Sequence, residues 1–397
     1  MTRKGGFNGI AAACLVITAT GLFTTPVGAQ ETRPGSEIRA ERAALPEGVQ
    51  LSTWVDGLEH PWGMAMLPTG GMLVTERPGH LRMISPDGTL SAPLEGVPNV
   101  DARGQGGLLD VALHPDFAKN AYVYLTFSEP GSVAGTNSTA VARARLLELN
   151  GRWSLSDTTI VFRQTPKYAS SLHFGSRLVF ARDGNLFVTL GERSSRSVDA
   201  QNPATHLGKV VRITDEGKVP EGNPMVGKTG ALAEIWSMGH RNPQGAALNP
   251  KTGELWVAEH GPQGGDEINI VKAGNNYGWP KFTYGEQYGG GKIGEKASTP
   301  GYMPPIYSWA PSVSPSGITF YSSNSIPQWQ GSLLVGALSG QALIRLQLDG
   351  NRVVKEERLL TNEGMRIRDV LVGTQGEVYL LTDAAKGRVL RLSPRPK

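Results

Sequence analysis

One pattern recurs along most of the chain and restricts what it can fold into. It consists of an apolar strand, a turn containing Gly with Pro or Asp, a second apolar strand and a polar residue. The copies read GMAMLPTGGMLVTE from Gly63, DVALHPDFAKNAYVYLTF from Asp110 and RLVFARDGNLFVTLGE from Arg177. They continue with GAALNPKTGELWVAE from Gly245, GITFYSSNSIPQWQGSLLVGA from Gly317 and DVLVGTQGEVYLLTD from Asp369. Each alternates with period two and is rich in Val, Leu, Tyr and Phe, as half-buried strands are. A single hairpin cannot bury both of its faces, so repeats about 50 to 70 residues apart must stack on one another. Units of three or four strands fit the blades of a β-propeller, and six copies predict six blades. A sandwich of similar hairpins is the alternative, but about 350 residues would be unusual for one such domain. The expected fold is all-β: a six-bladed β-propeller whose long inter-strand loops build a site at one mouth of the central channel.

Composition supports this. The 397 residues include 51 glycines and 27 prolines, about a fifth of the chain, as a turn-rich β protein requires. The net charge is only +4 and no Lys/Arg block runs along the chain, so no nucleic-acid partner is expected. Arg3 and Lys4 precede an apolar run from Ile10 to Phe23, followed by the small residues Val27, Gly28 and Ala29. That is the pattern of a secretory signal peptide over residues 1–29, with an apolar core too short to span a bilayer. No later stretch is long enough either, so no membrane span is expected. Residues 30–48 read as a polar N-terminal arm, a linker or loosely held, and residues 49–397 as the propeller domain. The single cysteine, Cys14, lies in the predicted leader. A periplasmic or secreted protein without disulfides follows, stabilised by packing, with or without help from metal.

Chemistry is carried by the polar segments between repeats. SSLHFGSRLVF places His173 just before a strand, and LGERSSR places Glu192 and Arg193 at the end of the next. A carboxylate beside an imidazole fixes its tautomer and raises its basicity, the smallest unit for general-base work on a hydroxyl. SMGHRNPQGAA carries His240, Arg241 and Asn242, and AEHGPQGGDEIN carries Glu259, His260, Asp266 and Glu267. The latter combines carboxylates with Gly and Pro turns that free main-chain carbonyls, a donor set suited to a hard cation such as calcium, or else an acidic surface turn. Arg366 and Arg368 alternate on a strand, and two like charges on one face repel unless an anion lies between them.

Taken together, SSLHFGSRLVF, GHRNPQG, EHGPQGGDEIN, GNNYGWP and RIRDV resemble the soluble pyrroloquinoline quinone (PQQ)-dependent sugar dehydrogenases, in particular the aldose sugar dehydrogenase branch. The likeness runs from about Leu58 to Leu392. It implies a six-bladed propeller with PQQ and a calcium ion at the channel mouth, oxidising the anomeric hydroxyl of an aldose to a lactone. It implies His173 as the general base and Glu192 as its partner. Gln105, Arg241, Asn242, Arg366 and Arg368 would contact PQQ. The carbonyls of Gly261 and Pro262 would bind the PQQ calcium, and Glu267 with the carbonyl of Tyr277 would form part of a second calcium site. The implied partners are an aldose substrate and an external electron acceptor, with the chain a monomer or homodimer. Two positions depart from the family pattern. Ser339 stands where a Lys is usual, removing one positive contact to PQQ. Leu172 stands where glucose-selective members carry an acid, which implies a broad sugar range. A calcium-dependent propeller hydrolase acting on lactones and a non-catalytic binding propeller are the alternatives.

Overall fold

The computed structural model describes residues 32–295 and 300–395. The predicted leader, residues 1–29, lies outside the described residues. Each repeat found in the sequence becomes one antiparallel sheet. Blade 1 is Pro61–Met66, Met72–Glu76 and His80–Ile84. Blade 2 is Leu108–Leu113, Tyr122–Pro130, Asn137–Leu149 and Arg152–Arg163. Blade 3 is Gly175–Phe180, Leu186–Leu190, Lys209–Ile213 and Ile235–Met238. Blade 4 is Pro243–Leu248, Leu255–Glu259, Asp266–Val271 and Tyr307–Trp309. Blade 5 is Pro315–Tyr321, Ser332–Ala337, Ala342–Asp349 and Arg352–Leu359. Blade 6 is Ile367–Val372, Val378–Thr382 and Gly387–Pro394, completed by the early strand Val49–Leu58.

The first strand of every blade touches the first strand of the next, and blade 6 returns to blade 1, so the propeller is closed around a central channel. An apolar cluster fills each junction between neighbouring blades. Tyr124, Val141 and Phe162 of blade 2, for instance, pack on Leu178, Leu186 and Val188 of blade 3. Alternation along the strands thus serves two contacts, one on each face of a blade, and explains why a lone hairpin pattern needs six copies.

The strand that closes the circle is not the one that periodicity alone selects. Val49–Leu58 is continuous in sequence with blade 1, yet it pairs antiparallel with Gly387–Pro394 at the other end of the chain. The arm before it is not loose where described. Glu41 and Arg42 lie parallel to Glu357 and Arg358 on the open edge of blade 5, and the Ser308 N–H donates to the Pro34 carbonyl at 3.1 Å. Covering an edge strand in this way removes a template for pairing with another chain.

All six inner strands share one irregularity. Each slips register within its first residues, at Pro61/Met64, Leu108/Val111, Gly175/Leu178, Pro243/Gly245, Pro315/Ile318 and Ile367/Asp369. A bulge bends the strand and re-aims its side chains. Here it turns Asp110, Arg177 and Asp369 together. Arg177 bonds Asp110 and Asp369 at 3.0 Å each, all three being buried. Gly63 and Gly317 make the room. A Cβ on Gly63 would lie 2.6 Å from Asp110 Oδ1, and one on Gly317 would lie 1.9 Å from Asp369 Oδ1. Gly317→Ala should therefore destabilise the fold by about 2 kcal/mol or more in chemical denaturation. Gly222→Ala, whose nearest neighbour would be 3.8 Å away, should stay within about 0.5 kcal/mol of the parent.

Candidate active site

His173 precedes blade 3 and Glu192 follows that blade's second strand, so the hairpin brings them together. His173 Nδ1–H donates to Glu192 Oε2 at 2.6 Å, and both side chains are buried. The carboxylate accepts, so the proton sits on Nδ1 and Nε2 keeps a free lone pair. Glu192 Oε2 also accepts the Ser194 N–H at 2.9 Å, while its Oε1 is buried without a partner. The His173 backbone is in the left-handed region, at φ 53°, and its N–H donates to Gln105 Oε1 at 2.8 Å. Gly191 lies against the same turn, where a Cβ would come 2.0 Å from the His173 carbonyl. His173 is thus held by its backbone as firmly as by its side chain.

Two buried cations brace the loops on either side. Arg193 donates to the carbonyls of Leu172 and Ser170, at 2.7 and 2.6 Å, and to Asn137 Oδ1, with its guanidinium 3.6 Å over the Phe174 ring. Burial pushes it down to about 9 against the pull of Glu192. The Lys209 amine donates to the carbonyls of Asp199, Ala200 and Leu207, fastening the loop that begins at Glu192. Burial lowers this amine to about 7, opposed by Asp199.

Arg241 and Asn242 occupy the turn into blade 4 and touch the same unit. The Glu192 N–H donates to the Arg241 carbonyl at 3.0 Å, and the Gly175 N–H to Asn242 Oδ1 at 3.2 Å. Arg241 donates to the carbonyls of His260 and Gly261, at 3.1 and 2.7 Å, and faces Trp279. From blade 6, Arg368 donates to Gln244 Oε1 at 2.7 Å and to Asp383 Oδ1 at 3.2 Å. Arg366, half exposed, pairs with Asp383 Oδ2 at 2.7 Å. The anion expected between these two arginines thus includes a side chain of the protein itself, Asp383, which sequence reasoning missed. Its position directly after the strand Val378–Thr382 gave no hint of its partners.

The cations face a common space. His260 is pushed down to about 3, by burial first, then by Arg368, Arg241 and His173. It stays neutral and donates from Nε2 to the Pro315 carbonyl at 2.8 Å. Around this space Arg241 Nε, Asn242 Nδ2 and Arg368 Nε are buried N–H donors without acceptors. Orphaned donors of this kind call for a ligand rich in acceptor oxygens. Ser339 does not join them; its hydroxyl bonds Ser314 at 2.8 Å within blade 5.

The predicted cation ligands lie near one another, and Gly261 and Arg241 line the same small cavity as Glu267 and Tyr277. Gly261 and Pro262 lie beside Arg241, which already engages the Gly261 carbonyl. Glu267 and Tyr277 line a small cavity of about 10 Å³ together with Glu259 and Thr283. Burial first and Glu259 second push Glu267 well above the usual carboxylate range. Asn269 Nδ2 is shared between the two carboxylates, at 3.0 and 3.3 Å. His240, a candidate from sequence, is structural here. It bonds Ser237 and Glu259 and stacks on Tyr277. No group of three or more His, Cys, Asp or Glu side chains converges as a metal cage among the described residues. A cation here would need main-chain carbonyls as well.

With this geometry in place, comparison with known proteins decides the family. The family model described as Glucose / Sorbosone dehydrogenase matches residues 58–391. The chain belongs to this family. Among curated relatives, the aldose sugar dehydrogenase YliI of Escherichia coli is 47% identical over 355 residues, covering 89% of this chain and 95% of that one. The apo crystal structure of the soluble E. coli aldose sugar dehydrogenase superposes with a TM-score of 0.84 at 46% identity, covering 87% of this chain and 100% of that chain. The PQQ-bound aldose sugar dehydrogenase of Streptomyces coelicolor superposes with a TM-score of 0.72 at 30% identity, covering 87% and 98%.

Within this family member, Arg193→Met should leave the Leu172 and Ser170 carbonyls and Asn137 without their donor. The expected cost is about 2–3 kcal/mol in chemical denaturation. Faster amide hydrogen exchange over residues 168–173 should accompany it; unchanged protection there would show that Arg193 does not brace the His173 turn.

Proposed function

We propose that this member of the family is an exported PQQ- and calcium-dependent enzyme that oxidises aldoses at C1 to lactones. The observation that carries the reading is the His173–Glu192 pair, bonded at 2.6 Å, beside the acceptor-less donors of Arg241, Asn242 and Arg368. PQQ has three carboxylates, and guanidinium forks with an amide donor fit that anion. The PQQ-bound relative supports the same choice. Gln105, Arg241, Asn242, Arg366 and Arg368 would hold the cofactor. The Gly261 and Pro262 carbonyls would hold its calcium, and Glu267 with the Tyr277 carbonyl a second ion. The high proton affinity of buried Glu267 fits a site that prefers a cation to an empty state.

The chemistry supplied by bound PQQ is hydride acceptance, assisted by calcium polarisation of its quinone carbonyl. The protein supplies the rest. His173 Nε2 takes the proton of the anomeric hydroxyl, and Glu192 stabilises the imidazolium that results. Loss of that proton and of hydride from C1 leaves the lactone carbonyl. Leu172, 39% exposed ahead of the base, offers no hydrogen bond to a sugar hydroxyl, which favours a broad aldose range. The hydrolase alternative needs channel carboxylates open to an ion, but Asp110 and Asp369 are committed to Arg177. Export rests on the predicted leader; no helix among the described residues is long and apolar enough to cross a membrane.

Purified protein given PQQ and calcium should reduce a redox dye on addition of aldoses and lose that activity reversibly on chelation. His173→Ala should keep PQQ binding while kcat falls about 10²- to 10⁴-fold. Turnover at the parent rate would remove His173 from its role. Arg368→Gln should weaken PQQ binding about 10- to 100-fold, and half-exposed Arg366→Gln by much less, in titrations of intrinsic fluorescence.

A further inference from the structure

Beneath the mouth lies a layer of charge that no step above uses. Arg177, of blade 3, spends its donors on three other blades. It bonds Asp110 of blade 2 and Asp369 of blade 6 at 3.0 Å, the Gln244 carbonyl of blade 4 at 2.8 Å, and the Arg368 carbonyl at 3.3 Å. The second oxygens of the carboxylates are also engaged. Asp110 Oδ2 accepts the Leu178 N–H at 2.8 Å, and Asp369 Oδ2 accepts the Met64 N–H at 3.2 Å. Trp62 covers the guanidinium at 4.3 Å and lies 5.8 Å from that of Arg368.

Each member of this layer sits just inside a segment that carries a site residue. Asp110 follows Gln105, Arg177 follows His173, Gln244 follows Arg241 and Asn242, and Asp369 is adjacent to Arg368. We propose that Arg177, held between Asp110 and Asp369, is a positioning residue that sets the spacing of His173 and Gln105 relative to Arg368. The inference rests on the function proposed above.

Stability gives no reason for such a cluster. Replacing buried ion pairs by apolar residues of similar volume is often neutral or favourable, so an apolar plug would close the channel as well. What an apolar plug cannot do is fix direction. A planar guanidinium holds two carboxylates at set angles, and here those carboxylates belong to the strands that follow Gln105 and carry Arg368, while Arg177 itself lies on the strand that follows the base. The glycines at 63 and 317 reserve the space for it. Arg177 itself touches neither the Nε2 of His173 nor the orphaned donors, so it acts only through its neighbours.

Arg177→Lys separates direction from charge, since an ammonium cannot reproduce the fork. The full chain carrying Arg177→Lys is compared with the parent and with Leu392→Ala, a cavity variant in the outer part of blade 6, and the stability each variant loses is measured alongside. Two readouts are taken: PQQ affinity with calcium by fluorescence titration, and, in the protein without PQQ, the ring nitrogen resonances of His173, assigned by their loss in His173→Gln. Arg177→Lys should shift the His173 ring signals and weaken PQQ binding at least tenfold; Leu392→Ala should leave the signals in place and affinity within twofold. Unmoved His173 signals in Arg177→Lys, or shifts equal to those of Leu392→Ala, overturn the proposal. Should Arg177→Lys fail to fold, Asp110→Asn replaces it and is judged on the same two readouts. Failure of the parent to bind PQQ would sink the function, while the His173 signals would still judge the positioning role.

Discussion

Six inner strands enter the channel with the same bulge, and the mouth of the propeller depends on that repeated defect. A regular strand would present alternate residues to the channel and to the neighbouring strand. The bulge inserts a residue and turns the polar positions at the strand starts inward and upward. Three of the six blades place a charged side chain there, and others place glycine. The segments that carry His173, Arg241 and Arg368 adjoin these bulges. His173, Arg241 and Arg368 all lie close enough to His260 to oppose its protonation.

The site is built on desolvated charge, and the protein balances it locally. Arg177 faces two aspartates, Arg368 and Arg366 share Asp383, and His173 leans on Glu192. The remaining imbalance is chemically informative. Arg193 and Lys209 are held down by burial and satisfied by carbonyls rather than by full ion pairs, as suits cations that brace loops. Glu267 is driven the other way, beside a second carboxylate and a cavity about one water wide. The protein therefore has cationic excess where an anion would bind and anionic excess where a cation would bind.

The fold was legible because its information is local and repeated. Period-two alternation, turn residues and six copies define six sheets without any knowledge of contacts. The pairing of His173 with Glu192 was legible for the same reason: a hairpin is the shortest connection that returns a strand end to its start. What stayed hidden were contacts made across the channel. Asp110 and Arg177 look like ordinary first residues of strands, and nothing in DVAL or RLVF says that one bonds the other and a third residue near the C-terminus. Asp383 was equally silent, since its partners are set by blade 6 rather than by sequence neighbours. The sorting of Val49–Leu58 into blade 6 also escaped, because alternation reports a strand but not its partner.

That last pairing makes the two ends of the polypeptide one blade. The strand Val49–Leu58 finds its neighbour only in Gly387–Pro394, the final strand of the chain. During synthesis blades 1 to 5 can assemble in order, but the circle stays open until the last residues are available. Arg366, Arg368 and Asp383 belong to that blade, so their placement depends on this closure. The mouth of the channel is thereby completed only when Val49–Leu58 and Gly387–Pro394 have paired.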